Sequence, residues 1–189
     1  MKLFLSCILT LALFGSFITP ADDAKAKEQF KAEFLTRINN LRHDGCRCGA
    51  VYMPPVPPLI WNDQLAVAAN QHAGDMFLHN YFAHKSRRGS SPMDRAVEAG
   101  YSTKGFKRYI MGENIAKGNF TIAQVMDEWI KSPEHCKNLM NREFKEVGIA
   151  QSYSYWVQDF GGRIPFSATE KKLIKSGRLR IINEPINSN

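Results

Sequence analysis

Phe30, Phe34, Ile38 and Leu41 recur every three or four residues among charged neighbours, which is one apolar stripe along a helix. The pattern predicts an amphipathic helix over Ala24 to Asp44, ended by Gly45. From Cys46 to Pro58 the periodicity is lost. The run Met53-Pro54-Pro55-Val56-Pro57-Pro58 lacks the backbone donors that helices and central strands need, so it predicts a stiff extended loop. A second helix begins with Asn62 or Asp63 as its cap and carries Leu65, Ala68, Ala69, Ala73 and Met76 on one face. The alanines suit close packing against a neighbour. His72 and His79 lie seven apart on this helix, too far to share a metal, so His72 reads as a buried, hydrogen-bonded core histidine.

Ser91-Pro92 opens a short helix that Gly100 closes. A basic loop then leads to Tyr109–Ala116, to which the pattern assigns no element. Thr121 and Gln124 form a capping box for a helix with Ile122, Val125, Met126, Trp129 and Ile130 on its apolar face. Ser132-Pro133 stops that helix and starts another through Met140. Glu146 to Ser152 and Tyr155 to Phe160 predict strands, and the short turn at Tyr153-Ser154 makes them antiparallel. Gly161-Gly162 ends the regular part, leaving a polar, basic tail with no assigned structure. Helices around a small antiparallel set of strands imply an α+β or three-layer arrangement.

The chain has 189 residues, 44% hydrophobic and 23% charged, enough for one globular domain with a core. Lys2 precedes an apolar run from Leu3 to Ile18 and the small-residue stretch Thr19-Pro20-Ala21, the pattern of a secretory signal peptide over residues 1–21. The run is too short for a transmembrane anchor, and Asp22 and Asp23 follow it. Export places the mature chain in a secreted or periplasmic setting. Lys2 is the one charged residue removed, so the net charge falls from +7 to +6. The basic residues are scattered and no aromatic residues interleave with them, which disfavours nucleic acid as a partner.

Cys46, Cys48 and Cys136 remain after cleavage. An oxidising compartment favours one disulfide. A Cys46–Cys48 bridge is geometrically awkward, so Cys136 is expected to pair with Cys46 or Cys48, leaving one thiol over. Closing a loop of roughly 90 residues stabilises a chain by about 4–5 kcal/mol in the chain-entropy model.

The candidate chemistry lies in three motifs: Tyr81-Phe82-Ala83-His84, Gly112-Glu113-Asn114-Ile115-Ala116 and Ser132-Pro133-Glu134-His135-Cys136. Histidine and glutamate bind metals and move protons near neutral pH. Together with Ile38-Asn39-Asn40-Leu41-Arg42, Pro58-Leu59-Ile60-Trp61-Asn62, Val147-Gly148-Ile149 and Trp156 to Gly161, these motifs resemble the CAP superfamily: cysteine-rich secretory proteins, antigen 5 and pathogenesis-related group 1 proteins. The bacterial secreted branch is the most similar. The resemblance covers residues 30–162, with 22–29 as a lead-in and 163–189 as a basic tail. It implies a three-layer α-β-α sandwich with a mostly antiparallel central sheet. It also implies a cleft in which His84 and His135 hold a divalent metal such as zinc, beside Glu113. A second family glutamate falls at Ser132, so the usual carboxylate pair is incomplete. The implied disulfide joins the early loop to Cys136.

Three functions follow as expectations. One is a cleft of His84, Glu113, Ser132 and His135 that binds a divalent metal or a small lipid-like, sterol or peptide ligand. Another is a hydrolase with Glu113, His84 and His135 as catalytic groups, although no His-Glu-x-x-His or Gly-x-Ser-x-Gly motif is present. The third is a structural or host-interaction protein with no chemistry.

Overall fold

In the computed structural model, which describes residues 19–180, the chain runs α1 (Pro20–Asp44), β1 (Cys46–Cys48), β2 (Val51–Met53), β3 (Ile60–Trp61), α2 (Asp63–Leu78), α3 (Pro92–Glu98), β4 (Phe106–Lys117), α4 (Ile122–Lys131), α5 (Pro133–Leu139), β5 (Glu146–Ser152), β6 (Tyr155–Pro165) and α6 (Ala168–Lys175). The expected helices are present, and their starts follow the capping chemistry. Asn62 caps α2 by accepting from the Leu65 amide. Ser91 with Asp94 and Thr121 with Gln124 form reciprocal capping boxes at α3 and α4.

The central sheet has strand order β3-β5-β6-β4. β4, β6 and β5 pair antiparallel, and β3 joins β5 in parallel. Side chains alternate across this sheet. Ile115, Ala150, Tyr155 and Val157 pack on α2 through Ala69, Ala73 and Met76. Ala116, Val147, Ile149, Trp156 and Phe160 meet Phe34 and Ile38 of α1, Val125, Met126 and Trp129 of α4, and Leu139 of α5. The fold is therefore α+β, an α-β-α sandwich with a mixed, mostly antiparallel sheet. A Cβ at Gly148 would collide with the backbone of Leu65 and Ala66, so this glycine sets how closely α2 lies on the sheet.

Four expectations need correction. α1 begins at Pro20, not Ala24, because Thr19 caps it in a box with Asp22. The loop from Cys46 contains the β1–β2 hairpin, a separate two-stranded sheet. β6 passes through Gly161-Gly162 to Pro165, since β4 is long enough to pair with it there. The basic tail holds α6, capped by Ser167 and Glu170. The expected signal peptide lies outside the described residues except for its end, where Pro20 and Ala21 form the first turn of α1. Among the described residues no helix is long and apolar enough to cross a membrane.

Arg42 fastens the α1 end of the sandwich. It is fully buried and donates to the carbonyls of Pro57 (2.7 Å), Leu139 (2.6 Å), Asn141 (3.1 Å) and Phe144 (3.4 Å). Burial pushes its pKa down to about 10, still charged at neutral pH. One guanidinium thus joins the proline-rich loop, the end of α5 and the approach to β5. Nearby, Cys48 and Cys136 form the disulfide, with Cα atoms 5.4 Å apart, while Cys46 is a free, half-buried thiol. The bridge fits an extracytoplasmic location. Replacing Arg42 with Met strands four carbonyls, and urea denaturation should show a loss of about 3 kcal/mol or more. A lysine, with one compact head group, should restore little of it.

Candidate functional site

β4 is an edge strand, and two consecutive residues on it organise the site from opposite faces of the sheet. Glu113 points to the α2 side, where its carboxylate receives three approaches. Arg95 of α3 donates to Oε2 at 2.5 Å. His84 Nδ1 lies 2.7 Å from Oε1, and His72 Nε2 is 3.9 Å from Oε2. The Glu113 side chain is only 1% exposed and that of Arg95 6%. Buried charge is tolerated when paired and hydrogen-bonded in this way, and removing one partner costs about 3–5 kcal/mol.

The surrounding bonds hold His84 as well as Glu113. Arg95 also donates to the carbonyls of His84 and Ser90, each at 3.0 Å. His72 Nε2 donates to the Ala83 carbonyl at 2.9 Å. Since Nε2 carries that proton, Nδ1 of the neutral ring is a bare acceptor, and among the described residues it has no partner. Burial is the main reason the His72 pKa lies below its ordinary value. The predicted core histidine is thus a support for the loop that carries His84. With Nδ1 engaged by Glu113, His84 presents Nε2 outward from a ring that is half exposed.

Asn114 points to the α5 side and holds the second motif. Its Nδ2 donates to the His135 carbonyl at 3.1 Å and to Gln158 Oε1 at 3.0 Å. Asn138 of α5 donates to Asn114 Oδ1 at 2.9 Å and to the Glu113 carbonyl at 3.3 Å. The His135 pKa is lowered, first by burial and then by the charge of His84, so the two imidazoles are near enough to sense each other. Ser132 joins α4 to α5 and makes no side-chain capping bond. Glu128 and Glu134 are exposed and pair with Lys131 and Lys137, and the charge of Glu134 partly opposes the lowering of the His135 pKa.

His84, His135 and Glu113 do not converge as three ligand atoms within 4.8 Å; among the described residues only Cys46, Cys48 and Cys136 do so. The His/Glu cluster is nonetheless compatible with metal binding. A carboxylate on Nδ1 fixes the tautomer of a histidine and leaves Nε2 as a basic ligand, an arrangement common behind zinc-binding histidines. In this arrangement Glu113 orients the His84 ring, and both of its own oxygens are engaged.

Sequence reasoning missed Arg95 and Asp159. Nothing in Met93-Asp94-Arg95 marks an arginine whose partner lies 18 residues later. Asp159 is visible only through register, where it stands opposite Glu113. It is wholly buried, and among the described residues neither of its oxygens has a hydrogen-bond partner. Burial, and after it the negative Glu113, raises its pKa above the ordinary aspartate value. The folded chain therefore holds this proton more tightly than the unfolded chain does, and stability falls as pH rises past the ordinary aspartate value. Asp159→Asn should raise the thermal midpoint at pH 7. The gain should vanish as pH falls toward about 4, where Asp159 is protonated in both states.

Comparison with known proteins finds relatives of this chain and of its fold. The Bacillus subtilis (strain 168) uncharacterized protein YkwD is 37% identical over 108 residues, 56% of this chain and 40% of its own length. The uncharacterized membrane protein YlbC of the same strain is 32% identical over 102 residues, 54% of this chain and 28% of its own. This chain thus spans less than half the length of either relative. An extracellular protein containing an SCP domain from Bacillus anthracis str. Ames superposes with a TM-score of 0.54 at 25% identity, covering 80% of this chain and 45% of that one. An outer surface protein of Borrelia burgdorferi shares the fold, with a TM-score of 0.56 at 20% identity over 75% of this chain and 96% of its own. Residues 35–160 match the family described as CAP, the cysteine-rich secretory protein family, and the chain belongs to it.

Proposed function

We propose that this chain is an exported binding protein whose cleft holds a divalent metal, zinc being the best match, through His84 and His135. The bond from Glu113 to His84 Nδ1 carries this reading, because it leaves Nε2 as a free, oriented donor. His135, with its pKa lowered, offers a neutral imidazole nearby. Two imidazoles suit a borderline-soft cation and leave coordination positions for water or an incoming ligand. A small lipid-like or peptide ligand would then be oriented by the same imidazoles. Residues 1–21 are the export signal in this reading, and the mature chain is secreted or periplasmic. The Cys48–Cys136 bridge and the extracellular relative support that location.

The hydrolase alternative is weaker on physical grounds. A general base must reach the proton it removes. Glu113 is sealed from solvent and both of its oxygens are engaged, by Arg95 and His84. Ser132 supplies no second carboxylate.

Calorimetric titration of the mature chain with zinc tests the proposal. One equivalent should bind, and both His84→Ala and His135→Ala should abolish the binding. Glu113→Gln, which keeps the shape but weakens the hold on His84, should lower affinity by roughly 10- to 100-fold. Binding that survives both histidine substitutions, or no binding by the unaltered chain, would remove the metal from the cleft.

A further inference from the structure

A second group of ligand-type side chains lies away from the histidines, where β1 meets α5. Cys46 Sγ is 3.6 Å from Cys136 Sγ and 3.8 Å from Cys48 Sγ. Among the described residues no imidazole or carboxylate joins these three sulfurs. Apolar and sulfur-bearing side chains pack around them: Met140 is buried with the bridge, and Met53, Leu41 and Val56 pack against it, while the Arg47 carbonyl lies 3.9 Å from Cys136 Sγ. Cys46 and Cys48 are two apart on one strand, so they present to the same side, and Cys136 faces them from α5.

A free thiol against a disulfide suggests thiol–disulfide exchange, but the geometry does not suit it. Exchange requires attack along the S–S axis. The two distances from Cys46 are nearly equal, so its sulfur stands broadside to the bond. Once the bridge is reduced, the same placement leaves three thiols within reach of one another, which suits a coordination site better than an attack path.

We propose that the chain in its reduced form binds one soft monovalent cation, copper(I), through Cys46, Cys48 and Cys136. Thiolates and thioethers favour copper(I) among the common biological metals, and three sulfurs can complete its coordination. A structural zinc site takes four ligands, and among the described residues this pocket supplies three thiols and no histidine or carboxylate. The bridge and the ion are alternatives. A dithiol reductant opens the bridge by two successive exchanges, leaving as its own cyclic disulfide while Cys48 and Cys136 each gain a proton. Copper(I) then displaces the protons of the thiols that bind it. Bound copper would hold β1 against α5, as the disulfide otherwise does.

The test is an anaerobic competition titration of the phosphine-reduced mature chain against a chromophoric copper(I) chelator, with thermal melting of the same samples. The reduced chain should take one copper(I) and melt at a higher temperature with it than without. Cys46→Ser and Cys136→Ser should each bind at least tenfold more weakly, whereas His84→Ala with His135→Ala should bind as the unaltered chain does. Oxidised Cys46→Ser should melt as the oxidised unaltered chain does, showing that the loss is not misfolding. Equal affinity in Cys136→Ser would mean that the Cys46-Arg47-Cys48 segment alone binds copper, and would overturn the proposal. So would equal uptake by the oxidised chain, or a zinc affinity that matches copper(I) in the reduced chain.

Discussion

The site depends on the cost of keeping one negative charge inside the molecule. Glu113 lies on a strand of the central sheet with its side chain sealed under α3. An unpaired carboxylate there would cost several kcal/mol, and Arg95 offsets that cost at 2.5 Å. The same guanidinium holds the His84 carbonyl, and the same carboxylate holds the His84 ring. α3, the loop before it and β4 are therefore fixed to one another by a single buried pair. Asp159 adds to the constraint. Burial and the negative Glu113 both push the Asp159 carboxyl toward its protonated form, which disfavours a second charge in the same buried region.

Strand alternation turns this local arrangement into a site spanning two layers. Glu113 serves the α2 face and Asn114, the next residue, serves the α5 face. Each holds one histidine segment, the first through its ring and the second through its backbone. This explains why the two motifs can lie 51 positions apart in chain number, from His84 to His135, and still be placed by one dipeptide. α5 carries further duties: its Asn138 bonds back to Asn114, its Leu139 carbonyl receives Arg42, and its Cys136 bonds to β1. The seven residues Pro133–Leu139 thus couple the histidine site to the sulfur pocket and to the α1 end of the core.

The two ligand-type groups differ in chemistry as well as place. The histidines sit with a carboxylate and a guanidinium in a polar network. The cysteines sit among methionine, leucine and valine. Borderline cations suit the first environment and soft ones the second. Buried apolar surroundings also raise the Cys46 pKa, so its thiol stays protonated unless an ion takes the proton's place.

Helices, caps and the antiparallel strand pair were legible in the sequence because they follow from local rules: an apolar stripe, a capping side chain, a short turn. Thr121 with Gln124 and Ser132-Pro133 each state their structure within four residues. The family motifs also named His84, Glu113 and His135 before any packing was known. The long edge strand β4 was not legible, because its pattern changes from half-exposed at Phe106 to buried at Ile115 as the layers close over it. Nor was the choice of Cys48 over Cys46, two positions on the same side of one strand that only the approach of α5 distinguishes. Arg95 and Asp159 look like surface residues in the sequence, and tertiary structure alone placed them beside Glu113. Local order follows from neighbours along the chain. The environment of a charge depends on which segments close around it, and that is decided only when the layers pack.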